Sequence, residues 1–428
     1  MKKFFKSLML ISVCLGLSAT VNAKTFRYAT TGDILGLDPH ANNEGPTNTM
    51  KGNIYGRMLH RKADLSLEPD LATKWEKLDA NTWRFSLRRG VKFHNGNDFN
   101  ADDVLFSYKR QTQEASDMSF ALATIKQINK VDDYTVDLIT KGPDPILLLN
   151  MPMFYIVDKE WIEANNAFEV VRASGSTNFA NVNTNGSGPF KVVEWIQDTR
   201  IVLEPFEGDG GKNQIQHNLT KAVFTPISND ATRVAALLSG EIDLMYPVPL
   251  QDVKRLNNDP NTEALEGPEL RTIFLGYDQW RDESLDMPGS GKNPFKDKRV
   301  RQAFHHAINI NAIKRVVMRN AATPTGLMIA PGINGFQKDM NNRVSYDPDA
   351  AKKLLADAGY PNGFPVTFDC PNDRYVNDEE ICTAVIPMLE RVGIKVTPNF
   401  QTKSKHFNKI GKAQSNNTSF FMLGWTPG

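Results

Sequence analysis

From residue 81 to residue 87 the chain reads Asn81-Thr82-Trp83-Arg84-Phe85-Ser86-Leu87, apolar and polar side chains alternating at period two, the pattern of a strand with one buried face. Residues 134–139 and 190–195 repeat that pattern, and Ser419-Phe420-Phe421-Met422-Leu423 reads as a buried strand. Helices are marked by their ends. Asp347 followed by Pro348 supplies an N-cap and a first helical position, apolar residues recur at Ala351, Leu354, Leu355 and Ala358, and Gly359 stops the helix. Asn377 with Glu380 three positions on predicts a capping box, opening a helix that carries Ile381, Val385 and Leu389 and is kinked at Pro387. Further helices are predicted over 101–111, 230–239 and 297–318. Both element types alternate along the whole chain, so the class is α/β or mixed α+β. Turn formers cluster at 181–189, 266–269 and 287–294, the candidate boundaries.

The first residues change the picture. Lys2, Lys3 and Lys6 precede an apolar run from Leu8 to Leu17 that is too short to span a bilayer, and Val21-Asn22-Ala23 offers small residues where a signal peptidase cuts. Residues 1–23 read as a cleaved signal peptide. Val13, before Cys14, is not the small residue a lipid anchor requires, which favours a freely diffusing product. Removing three lysines and no acid turns the formal charge of +1 into −2, and no basic block remains, so nucleic acid and anionic membranes are not expected partners. Of three cysteines, Cys370 and Cys382 remain in a compartment that permits oxidation, and they are predicted to pair.

Catalytic and metal signatures are sparse. The sequence holds no HExxH, GxSxG or CxxC. Gly289-Ser290-Gly291-Lys292 lacks the earlier glycine of a phosphate loop, Asp286 standing there, and reads as an ordinary loop. His305 and His306 lie about 100° apart on a helix and cannot share a face as metal ligands. His94 sits at a strand end beside a turn and suits a structural hydrogen bond. The acidic pairs Asp102/Asp103 and Asp378/Glu379 fall in first helical turns, where they complement the helix dipole. No catalytic residue, metal site or cofactor is expected.

Several segments, in order, resemble the extracellular solute-binding proteins of family 5, the receptors of ABC importers for peptides, nickel and glutathione. Leu37-Asp38-Pro39-His40 is similar to the family's opening, and Glu68-Pro69-Asp70-Leu71-Ala72-Thr73-Lys74-Trp75-Glu76 to its next conspicuous segment. Trp83 to Gly96 leading into Phe99-Asn100-Ala101-Asp102-Asp103-Val104 is the most specific stretch. Gly186-Ser187-Gly188-Pro189-Phe190 and Asn293 to Ala303 complete the series. Asn309 stands where relatives usually carry aspartate, a change expected to act on a helix junction. Relatives also continue beyond the pair seen here as Gly424-Trp425, so a C-terminally truncated or fragmentary chain is expected.

The resemblance implies a bilobal periplasmic-binding-protein fold of type II. Residues 24–60 with 180–266 would form the base of lobe one, 61–179 an inserted subdomain, and 267–428 an incomplete lobe two, with the ligand between the lobes and hinge closure delivering it. It implies a monomer in the periplasm that binds a di- or oligopeptide and hands it to permease subunits in the inner membrane. The alternatives are a sugar, an opine or a metal chelate on the same scaffold and, further off, a secreted enzyme. Arg374 aligns with the arginine that dipeptide-binding relatives use for the ligand carboxylate, a surface loop arginine being the other reading. Trp425 would stack on the ligand or belong to the core. Thr30, Thr31 and Gly32 offer hydroxyls and backbone donors after the first strand, or form a plain turn. Tyr277 and Asp278 are further cleft candidates where lobe two begins.

Overall fold

The computed structural model describes residues 24–172, 177–206, 218–410 and 416–426; the expected signal peptide and its cleavage site lie outside them. Strand β1 (Lys24–Thr30) opens the chain, and the helix Gly45–Ile54 follows. A short hairpin, β2 (Leu59–Arg61) and β3 (Leu67–Pro69), leads into β4 (Ala72–Lys77), β5 (Thr82–Leu87), β6 (Ile125–Asp132) and β7 (Thr135–Thr140). These last four form an antiparallel sheet in the order β4-β5-β7-β6. Phe85, Leu87, Val136 and Leu138 point inward, which is the expected alternation. The helix Ala101–Gln111 covers that sheet, begun by a reciprocal cap between Asn100 and Asp103.

The chain then returns through β8 (Phe190–Ile196), β9 (Arg200–Pro205), β10 (Leu219–Pro226) and β11 (Leu244–Tyr246). With β1 they make a five-stranded sheet, β11-β1-β10-β9-β8, in which β1 lies parallel to both neighbours. The third sheet, β12-β15-β13-β14, comes from β12 (Thr272–Tyr277), β13 (Pro365–Pro371), β14 (Lys395–Gln401) and β15 (Phe420–Trp425). Phe368, Phe420 and Met422 are fully buried in its core with Phe295 and Phe304.

The return to the five-stranded sheet is a tight junction. A Cβ on Gly186 would lie 1.9 Å from the Ile54 carbonyl oxygen, and one on Gly188 2.5 Å from the Ile54 carbonyl carbon. The absence of side chains lets the Gly188 N–H reach the Ile54 carbonyl at 2.8 Å. His94 supports the same turn, its backbone N–H donating to the Gly186 carbonyl at 2.8 Å and its Nε2 lying 3.2 Å from that of Gly188. The expected structural role of His94 is therefore what the fold uses. Gly186→Ala is expected to cost at least about 1–3 kcal/mol, because backbone must move to admit the methyl; urea unfolding of the variant measures it.

Two helical expectations need correction. The helix predicted over 297–318 is broken: Lys298–Ala307 ends at Ile308, and the chain restarts as Ile310–Ala312, then a π-helical turn over Ile313–Val317. Asn309 is the cause, since its side chain accepts the Ala312 N–H at 2.9 Å and so caps a new helix. The capping box of Asn377 and Glu380 does not form. Asn377 adopts a left-handed φ of 53° and donates its amide to the Val317 carbonyl at 2.8 Å. The helix Asp378–Glu390 runs on through Pro387.

Candidate functional site

The residues that meet across the molecule come from the turn after β1 and the start of the Gly45–Ile54 helix on one side. On the other they come from the loop after β13, the start of the helix Lys403–Lys409, and the adjoining ends of β12 and β15. Cys370 at the end of β13 is disulfide-bonded to Cys382 in the Asp378–Glu390 helix, as the sequence predicted. The closed loop carries Arg374, and closing a loop of this size constrains the unfolded chain by about 3 kcal/mol. Its backbone is fixed a second time by Asp378, whose Oδ2 accepts the N–H groups of Arg374 and Tyr375, each at 2.9 Å.

Burial pushes the Asp378 carboxyl up to about 7 against those donors. Its folded value lies above the unfolded one, so between about pH 4 and 7 the native state binds more protons there, and this group's contribution to stability grows as pH falls. The stability of the native protein relative to Asp378→Asn is therefore expected to rise on going from pH 8 to pH 5. The slope should be at most about 1.4 kcal/mol per pH unit, read from urea midpoints across the series.

Arg374 is 9% exposed, and its Nε lies 2.8 Å from Glu44 Oε1. Glu44 is 3% exposed and occupies the N-cap of the Gly45–Ile54 helix. Its Oε2 accepts the Thr47 N–H at 2.9 Å and the Thr47 hydroxyl at 2.7 Å, while Lys403 Nζ stands 3.7 Å from Oε1. Burial opposes the charge on Glu44. Lys403, Arg374 and the Thr47 hydrogen bonds outweigh it and hold the carboxyl below its ordinary range. The Arg374–Glu44 contact is a charge contact without hydrogen-bond alignment, since neither Nε nor Oε1 has a hydrogen-bond partner among the described residues.

Thr31 and Gly32 belong to the same meeting place. The Thr31 hydroxyl donates to the Asp373 carbonyl, and a Cβ on Gly32 would lie 3.0 Å from Asp373 Oδ2 and 3.1 Å from Lys403 Cε. Gly45 is as close, with Arg374 Nη2 2.8 Å from where its Cβ would be. Thr30 stays local, its hydroxyl donating to the Gly32 carbonyl at 2.9 Å. Trp425 is half exposed at the end of β15, opposite Thr272. Beside it the Gly424 N–H donates to the Tyr375 hydroxyl at 2.8 Å. The Tyr375 ring lies under two guanidinium groups, Arg374 at 4.8 Å and Arg271 at 5.6 Å.

Tyr277 and Asp278 stand apart from this group. They lie at the opposite end of β12 from Arg271, about 20 Å away at the rise of a strand. Tyr277 packs with Phe295, Phe304 and Phe420 at ring distances of 5.0, 5.6 and 5.5 Å. Asp278 is buried and accepts the N–H groups of Trp280 and Arg281 while pairing with the Arg281 guanidinium. Glu44, Arg271 and Lys403 were missed. Glu44 alone carried a signal, an acid directly before Gly45-Pro46 at a helix start.

Residues 66–428 match the family described as bacterial extracellular solute-binding proteins, family 5. The chain is 29% identical to the dipeptide-binding protein of Escherichia coli K12, over 97% of this chain and 78% of that protein. Its fold is similar to that of the periplasmic binding protein DppA of Helicobacter pylori in complex with the peptide STSA. That match has a TM-score of 0.81 and 27% identity, covering 95% of this chain and 78% of that one. It is equally similar in fold to AgaA of A. tumefaciens R10 in complex with agropinic acid, with a TM-score of 0.81 and 26% identity, covering 94% and 77%. These neighbours have the type II periplasmic-binding fold that the sequence led us to expect. The chain belongs to the bacterial extracellular solute-binding proteins of family 5.

Proposed function

We propose that this protein receives a short peptide between two lobes in the periplasm and delivers it, unaltered, to the permease of an ABC importer. In this reading lobe one would comprise 24–60 and 180–266 with 61–179 as an insert, and lobe two 267–428; that the five-stranded sheet and the two four-stranded sheets each draw their strands from one of these units supports the division. The observation that carries the reading is Arg374. It is a buried guanidinium on a doubly fixed loop, facing the other lobe and lacking a hydrogen-bond partner on Nε among the described residues. A carboxylate is the complement of that group, because two parallel charge-assisted hydrogen bonds match its fork. A peptide presents such a carboxylate at its C-terminus. Tyr375, Trp425 and the turn at Thr31 and Gly32 would border the rest of the solute. The protein would act as a monomer.

The similarity to an agropinic acid complex supports a second reading, an opine in the same cleft, since that solute also carries a carboxylate. Native mass spectrometry of the protein purified from its own cells separates the two. A co-purifying dipeptide or tripeptide mass is the expected result, and an opine or sugar mass assigns the second reading. A solute consumed on incubation would make the protein an enzyme.

A further inference from the structure

Resting on the carboxylate-binding reading of Arg374, we propose that Glu44 is a built-in occupant of that seat, an internal carboxylate which an incoming ligand carboxylate must displace. Glu44 has the chemistry of the ligand it would compete with. Its Oε1 is presented to Arg374 from the opposite lobe and lies within reach of Lys403, while Oε2 is held by Thr47. The grip is one-sided. Thr47 makes two aligned hydrogen bonds, whereas the contact with Arg374 aligns none on Nε, so exchanging Glu44 for a ligand carboxylate loses no aligned bond there.

The consequence is a threshold on affinity and a filter on chemistry. Only the fraction of molecules in which Arg374 is vacated can bind, and apparent affinity falls by that fraction. A solute without a carboxylate cannot satisfy Arg374 after separating it from Glu44, and leaves a buried cation unpaired. Selection against amides and neutral solutes then comes from Glu44 as much as from Arg374.

The test needs no knowledge of the natural solute. Arg374 is labelled with phenylglyoxal and quantified by peptide mapping, in the native protein and in Glu44→Gln, with and without acetate as a minimal carboxylate. Should Glu44→Gln fold poorly, Glu44→Ser keeps a favoured N-cap residue while removing the carboxylate. Without acetate, labelling in the variant should be about tenfold faster, the factor expected if Glu44 occupies Arg374 in about nine molecules of ten. Acetate should then restore protection in the variant at concentrations that leave the native protein unchanged. Labelling as slow in both variants as in the native protein, or fast labelling that acetate does not suppress, overturns the proposal. Acetate is not a peptide, so this result stands apart from which solute mass spectrometry finds.

Discussion

Asp38→Ala is expected to lower the unfolding free energy by about 3–5 kcal/mol, the cost of removing one partner from a buried ion pair. Arg110 is fully buried. It donates through Nη1 to Asp38 Oδ1 at 2.8 Å, through Nη2 to Oδ2 at 2.6 Å, and through Nε to the Ala167 carbonyl at 3.1 Å. His40 completes the arrangement, its Nδ1 3.0 Å from Arg110 Nη1 and its Nε2 3.0 Å from the Tyr155 carbonyl. A guanidinium only donates, so Nδ1 accepts and the proton is on Nε2. Burial and Arg110 agree with that, pushing His40 down to about 3 and keeping it neutral. Alanine at 38 would leave the guanidinium charged, buried and facing a neutral imidazole. The loss matters to the architecture because Arg110 ends the helix over the antiparallel sheet while Asp38 belongs to the segment after β1. Urea unfolding measures it, and Asp38→Ala/Arg110→Met should recover much of the deficit, since an apolar replacement of the whole pair is close to neutral. A deficit below about 1 kcal/mol would show that the pair is not holding these parts together.

Arg374→Ala carries the largest expected effect on binding. Removing one partner of a desolvated charge pair costs about 2–5 kcal/mol, or roughly thirtyfold to several thousandfold in dissociation constant. The contrast between a peptide and its C-terminal amide makes the test specific. The free acid should lose most of its affinity, the amide, already weak, much less. The fold should persist in the variant, because Asp378 grips backbone N–H groups and the disulfide closes the loop whatever side chain stands at 374. Equal losses for acid and amide in calorimetry would place Arg374 outside the carboxylate seat.

How much of this was legible in the sequence depended on whether the cause was local. The strand β5 and the helix Ala101–Gln111 were readable because alternation, a cap and a buried stripe lie within a dozen residues. The loop around Arg374 could be flagged through Cys370 and Cys382, since cysteine pairing depends on compartment and spacing. Asn309 acts at a helix junction, as expected, by capping the restart at Ala312, whereas Asn377 misled because its partner, the Val317 carbonyl, lies sixty residues away. Arg271 and Lys403 carried no signal, and Glu44 only that of a helix start, for a stronger form of the same reason. Glu44 lies more than three hundred residues from Arg374 and Lys403 in the chain, and only the packing of the two lobes gives these residues a shared role. Proximity to a boundary says nothing about strand direction, and β12 places Tyr277 and Asp278 at the opposite end from Arg271.

The central claim is that one solute touches both lobes at once and leaves unchanged. Hydrogen–deuterium exchange with and without the solute found by mass spectrometry tests it directly. Slower exchange should appear together in the segments 31–47 and 371–377, and the solute should be recovered with its mass unaltered. Protection confined to one of those segments, or a chemically changed solute, would contradict the account.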